Sequence, residues 1–131
     1  QAINLIAANG RTFRPHINLN IEKNKFDLSY RKDVWKIIKK SMYSAVNHNR
    51  GTAYRAKVDN KNKKVYGKTG TAQVCSNCDR LPHAWFTGFM EYGENNKISV
   101  CIMIENGGKG SDISAIIANK IFNYIGKDKD V

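Results

Sequence analysis

"VYGKTGTAQV", Val65–Val74, is the stretch whose reading decides the fold. It sets a Gly-Lys-Thr among apolar and small residues, and two structures can carry that pattern. A phosphate-binding loop needs Gly, four residues, then Gly-Lys-Ser/Thr, followed at once by a helix whose N–H groups wrap the phosphate. Counting back from Gly67, the first glycine would fall at position 62, which is Asn62. Gly70 and the apolar residues beyond it continue a strand instead of opening a helix. The stretch therefore reads as a β-strand that carries a lysine and two threonines, with Thr69 and Thr71 on one face.

Working outward, two more strands follow, Ala84–Tyr92 and Ile98–Glu105, joined by a Gly93-Glu94-Asn95-Asn96 turn. Ile98–Glu105 is almost wholly apolar, which predicts burial on both faces and makes Cys101 a small core residue. Upstream, Val34, Ile37, Ile38, Met42, Ala45 and Val46 repeat at three- and four-residue steps, with Lys36, Lys39 and Lys40 off that stripe. Ser29 is the expected N-cap of this helix, and Asn47–Gly51 its exit. Ile3, Ile6 and Ala7 mark an earlier helix ended by Asn9-Gly10. Arg11–Ile21 reads as extended, and the following "EKNKFDLS" as a polar turn. Ser111 and Asp112 suit the start of a last helix with Ile113, Ile117, Ile121 and Tyr124 or Ile125 on its stripe, stopped by Gly126. The expected fold class is α+β: three antiparallel strands (about 65–74, 84–92, 98–105) with flanking helices (about 1–9, 30–47, 111–125).

The chain has 131 residues, 41% hydrophobic and 25% charged, which suits a globular domain and not a disordered one. No apolar run reaches the roughly 18 residues needed to span a membrane. Neither an initiator Met nor a signal-peptide pattern opens the sequence, and Gln1–Ala8 starts inside a helical pattern; the expectation is a piece of a longer protein. The net charge of +11 is uneven. Residues 1–68 carry 16 Lys+Arg against 4 Asp+Glu (+12), and residues 69–131 carry 6 against 7 (−1). A basic half invites a nucleic-acid reading, but the cations are scattered and form no groove-reading motif. Attraction of an anionic substrate is the milder use of the same charge.

Cys75-x-x-Cys78, with His83 further on, has the spacing of three zinc ligands, with Asp79 or an outside group as a fourth. The same pair can form a disulfide, or be two loop cysteines on a hairpin tip. The visible ligand set is incomplete, so no metal or other cofactor is expected.

Lys68-Thr69-Gly70 also matches the K-T-G element of penicillin-recognising serine enzymes. Three residues alone are weak evidence. In order along the chain stand "AANGRTFRPHI", "NRGTA", "GKTGTAQV", "HAWFTGF" and "ISVCIMIENGG", and together they resemble the C-terminal part of the transpeptidase domain of class B penicillin-binding proteins. The "ENGG" ending is more similar to the elongation-type branch than to the division-type branch. His83 falls inside the "HAWFTGF" pattern, which weakens its case as a ligand.

The resemblance implies a partial penicillin-binding transpeptidase (β-lactamase-like) fold. In the parent fold a five-stranded sheet lies between helices, with two strands supplied by sequence before the nucleophile. It implies an activity in which a serine is acylated by a peptidoglycan stem peptide ending in D-Ala-D-Ala, and by β-lactams in its place. Lys68 would assist proton transfer and draw in the substrate carboxylate. Thr69 and Thr71 would hydrogen-bond that carboxylate. Gly70 would let the substrate lie against the strand, and the Thr71 N–H would form half of the oxyanion hole. The family also needs a Ser-x-x-Lys and a Ser-x-Asn element. No Ser-x-Asn is present, and the one Ser-x-x-Lys, Ser29–Lys32, precedes Lys68 by too little chain. With seven Ser and sixteen Lys, about one such match arises by chance. The 131 residues are thus expected to be inactive alone, to lie at the periplasmic face of the cytoplasmic membrane through an anchor elsewhere, and to work beside a membrane glycosyltransferase. Their last strand should offer an unpaired edge, a route to self-association. A non-catalytic penicillin sensor or β-lactamase relative, and a basic nucleic-acid-binding module, stay open as alternatives.

Overall fold

The computed structural model describes residues 1–18, 20–21, 25–29, 31–76 and 79–125. Its elements in chain order are α1 (Ala2–Ala7), β1 (Arg11–Phe13), β2 (Lys25–Asp27), α2 (Lys32–Asn47), a 3-10 turn at Tyr54–Ala56, β3 (Lys63–Ala72), β4 (His83–Tyr92), β5 (Asn96–Ile104) and α3 (Ile113–Ile125). The expected α+β architecture is present. β3, β4 and β5 form an antiparallel sheet in that order, with Lys68 opposite Thr87 and Thr87 opposite Cys101. The outer edge of β5 has no strand partner among the described residues. β1 and β2 form a second, two-stranded sheet, with Thr12 opposite Phe26. That small sheet corrects the reading of "EKNKFDLS" as turn throughout: Lys25–Asp27 is too short and too polar to show a strand period, and pairs only because β1 lies alongside.

Alternation divides the large sheet into two faces. One carries Val65, Phe86, Met90, Ile98, Val100 and Ile102 and packs against Val46 of α2 and Ala115, Ala118 and Phe122 of α3. Here Phe86 meets Phe122 edge-on, with centroids 6.4 Å apart. Gly67 and Gly88 stand opposite each other on this face. A Cβ on Gly67 would come within 2.4 Å of the Phe86 ring, so the glycine makes the slot in which that ring sits. The other face is covered only at one end. There Phe89 and Tyr66 stack at 4.5 Å, and Met42, Ile38 and α1 close over them.

Several side chains lie elsewhere than their sequence period indicates. β5 is buried on one face only: Ser99, Cys101 and Met103 are exposed; α1 touches the strand at Ser99 through Asn4, but no described element covers Cys101 and Met103. Cys101 is accordingly an exposed free thiol and not a core residue. In α3 the buried positions are Ser114, Ala115, Ala118 and Phe122, while Ile113 and Tyr124 are exposed, Tyr124 to 70%. Small residues let the helix approach the sheet closely, and Phe122 then fills the remaining depth. Ser29 does not cap α2. Its hydroxyl accepts from Arg11 Nε at 3.3 Å, its N–H donates to Asp27 Oδ1 at 2.8 Å, and the helix starts after Arg31 with no side-chain cap. The expected stop at Gly126 lies outside the described residues.

Lys39, expected on the outer face of α2, is largely enclosed, and Ile37 is 63% exposed instead. The Lys39 stem crosses the Tyr66 and Phe89 rings, with Nζ 5.3 and 5.5 Å from their centroids, and its ammonium reaches Glu91 at 2.9 Å. Glu91 also accepts from the Tyr66 hydroxyl at 3.0 Å and faces Lys97 at 3.3 Å. Burial pushes the Glu91 carboxyl up, but Lys39, the Tyr66 hydroxyl and Lys97 together outweigh it and hold it below its ordinary 4.5. Burial, then the Glu91 contact, push the Tyr66 phenol well above its ordinary value.

The unfolded chain therefore protonates first as pH falls. The stability from Glu91 is complete above about pH 4.5 and is lost as pH drops through the folded value. Urea midpoints measured down through that range should fall less steeply for Glu91→Gln than for the parent protein. Equal acid slopes would remove Glu91 from this account.

Candidate functional site

Lys68, Thr69, Gly70 and Thr71 occupy the C-terminal half of β3, opposite Thr87, Phe86, Trp85 and Ala84 of β4. The strand runs unbroken through them, so Gly67–Thr71 is not a phosphate-wrapping loop. Thr69 and Thr71 lie on the α3 side; Thr69 is 8% exposed and Thr71 is exposed. Lys68 lies on the opposite, uncovered side, beside Thr87 and near the exposed Trp85. Its ammonium folds back to donate to the Thr69 carbonyl. A lysine on the wrong face of an ideal strand can therefore still present its charge within the K-T-G segment. A Cβ on Gly70 would meet only the Trp85 side chain, its Cβ at 3.2 Å and its Cγ at 3.9 Å, so the sheet itself does not demand glycine there as firmly as at Gly67.

Residues beyond the strand hold its end. Gly110, in the connection between β5 and α3, donates its N–H to Thr71 Oγ1 at 3.4 Å. A Cβ there would fall 2.2 Å from the Gly70 carbonyl oxygen and 2.4 Å from that of Trp85. The Gly110 carbonyl is taken by the buried Ser114 hydroxyl at 2.7 Å and by the Ala115 N–H at 3.2 Å. The same connection is pinned by the Asn106 N–H donating to His83 Nδ1 at 3.0 Å and the Gly108 N–H donating to Pro82 O at 2.9 Å. Nothing in the sequence of the 105–111 connection shows that Gly110 touches the K-T-G strand.

His83 thus has a structural partner. Cys75 is disulfide-bonded, which removes its thiolate from a zinc set, and Cys78 lies outside the described residues. Among the described residues no group of three or more His, Cys, Asp or Glu is placed to hold a metal ion. His48 accepts from the Arg50 N–H at 3.2 Å within the exit of α2.

The comparisons agree with this geometry. The family model described as the penicillin binding protein transpeptidase domain matches residues 1–123. The peptidoglycan D,D-transpeptidase MrdA of Haemophilus influenzae is 33% identical over 147 residues, covering 95% of this chain and 22% of that protein. A penicillin-binding protein (PBP2) of Helicobacter pylori, solved in complex with MreC, superposes with a TM-score of 0.69 at 30% identity, over 93% of this chain and 23% of that one. The Pseudomonas aeruginosa PBP2, solved in complex with WCK 5153, gives a TM-score of 0.76 at 25% identity, over 97% and 28%. The chain spans about a fifth of the length of the curated relatives it matches. By the model match, the order of its motifs and the continuous K-T-G strand, the chain belongs to the transpeptidase-domain family of penicillin-binding proteins.

Proposed function

We propose that this chain is the K-T-G-bearing part of a peptidoglycan D,D-transpeptidase. A serine elsewhere in the longer polypeptide attacks the carbonyl of the penultimate D-Ala of a stem peptide, and the terminal D-Ala leaves. The amine of a neighbouring stem peptide then attacks the acyl-serine, forming the cross-link and freeing the serine. β-Lactams acylate the same serine. Lys68 aids proton transfer and attracts the carboxylate, the exposed Thr71 hydroxyl hydrogen-bonds it, Gly70 admits the donor backbone, and the Thr71 N–H supports the oxyanion, whereas Thr69, buried on the α3 side, offers it no hydroxyl in this arrangement.

The observation that carries this reading is the placement of Lys68 on a half-sheet face that no described element covers, at the end of a strand fixed by α3 and its connection. A nucleophile arriving from outside this stretch has room there. The sequence holds no Ser-x-Asn, and its Ser29 is engaged with Arg11 and Asp27, so the 131 residues supply half of the chemistry. The relatives' names support the same activity, and the MreC complex of the H. pylori protein supports a place in the elongation machinery. We place the full-length protein at the periplasmic face of the cytoplasmic membrane, beside a membrane glycosyltransferase.

A fluorescent-penicillin gel tests the assignment. The full-length protein, run from membrane and soluble fractions, should give a labelled band in the membrane fraction, and the 131-residue chain should give none. An unlabelled full-length protein would overturn the reading; a labelled 131-residue chain would return Ser29 to the role of nucleophile.

A further inference from the structure

A groove of about 520 Å³ lies between the exit of α1, the β1–β2 sheet and one face of α2, and none of its lining residues belongs to the K-T-G strand. Lys32, Lys36 and Lys39 line it from successive turns of α2, with Arg11 and Ser29 across from them. Among the described residues no carboxylate lines it. Lys39 is paired with Glu91, and Arg11 with Asp27 at 3.3 Å. Lys32 and Lys36 have no ion-pair or hydrogen-bond partner among the described residues. Two lysines with no ionic partner among the described residues thus face one open groove.

The walls are fixed in place. Asn9 and Gly10 turn the chain with φ of 53° and 91°, a conformation in which Gly10 carries no Cβ strain. The Leu28 N–H donates to Gly10 O at 2.7 Å, and Trp35 Nε1 donates to Leu28 O at 3.0 Å. These bonds join the α1 exit, the segment after β2 and the first turn of α2 into one corner. A Cβ on Gly10 would come 2.5 Å from Trp35 Nε1, so the corner closes only with glycine there.

We propose that this groove is an anion site for a phosphate or diphosphate group, separate from the transpeptidation site. Lysines act on phosphate as movable point charges, and the two uncompensated ones match the charge of roughly −2 on a phosphate monoester near neutral pH. From Lys32 to Lys39 the helix rises about 10 Å, the reach of one or two phosphate groups and far short of a nucleic-acid duplex. The Ser29 hydroxyl adds a neutral hydrogen-bonding group, and the lysine stems line the walls. The site does not depend on the transpeptidase reading.

The test uses the full-length protein held in detergent, with two soluble probes by calorimetric titration: inorganic pyrophosphate, and glycerophosphoglycerol, the headgroup of phosphatidylglycerol. Binding of either is expected to weaken at least about ten-fold in Lys32→Gln/Lys36→Gln, and to hold in Lys61→Gln/Lys64→Gln, which removes as much charge from the turn and first residues of β3. Loss of pyrophosphate binding identifies a soluble phosphate ligand, and loss of headgroup binding alone a lipid phosphate; either supports the site. Neither probe binding, binding that survives Lys32→Gln/Lys36→Gln, or equal loss in both double variants would overturn it.

Discussion

Lys68→Ala in the full-length protein should slow acylation by labelled penicillin by about 100- to 10,000-fold, the range a positioned proton-transfer group contributes. Its thermal midpoint should scarcely move. Lys68 is exposed and its contact in this structure is the Thr69 carbonyl, so its removal opens no cavity and strands no buried partner. That separation of large kinetic loss from small stability change distinguishes a functional lysine from a solvated strand lysine. Lys68→Arg sharpens the test, because it keeps the charge but replaces a compact ammonium by a planar, permanently protonated group. If proton transfer is what matters, Arg should restore little of the rate; if the carboxylate needs only a cation, Arg should restore much of it. Acylation by Lys68→Ala at the parental rate would remove the lysine from the chemistry.

The strand that carries Lys68 was legible because three local signals agree on it: the failed phosphate-loop spacing at Asn62, the glycine at position 70 and the apolar residues on either side. Its neighbours were legible too, since Ala84–Tyr92 and the turn at Gly93 state their own period. What the sequence hid was set by who covers which surface. Cys101 and Met103 look like core because they are apolar, yet their face is open. Lys39 looks like surface because it is charged, yet Glu91, fifty-two residues away, gives its ammonium a partner and two rings give its stem a bed. The α3 stripe was misplaced for a related reason. Isoleucines carry the sequence signal, but the closest approach to the sheet falls to Ser114, Ala115 and Ala118, whose merit is being small. At the candidate site the K-T-G residues announce themselves by motif, whereas Gly110 contributes through its lack of a side chain, forty residues downstream of Gly70.

Gly110→Ala is expected to be the most damaging single-methyl change near the site. The added Cβ would sit 2.2 Å from the Gly70 oxygen and 2.4 Å from the Trp85 oxygen. Neither is the end of a flexible side chain; both belong to paired strands of the central sheet. Relief must come from moving the connection, and that breaks the Gly110–Thr71 hydrogen bond and strains the bonds to Ser114 and Ala115 at the start of α3. A cost of about 1–3 kcal/mol or more follows from overpacking an enclosed contact. In denaturant melts of the full-length protein the transition should shift to lower denaturant. At a temperature where the variant remains folded, penicillin acylation should still be slower, because Thr71 loses its fixed donor. Gly70→Ala is the contrasting case: its Cβ meets only Trp85 at 3.2 Å, so it should weaken penicillin binding with much less loss of stability. If Gly110→Ala were as stable as the parent and acylated at the same rate, the connection would be only a link between β5 and α3, with no hold on the K-T-G strand.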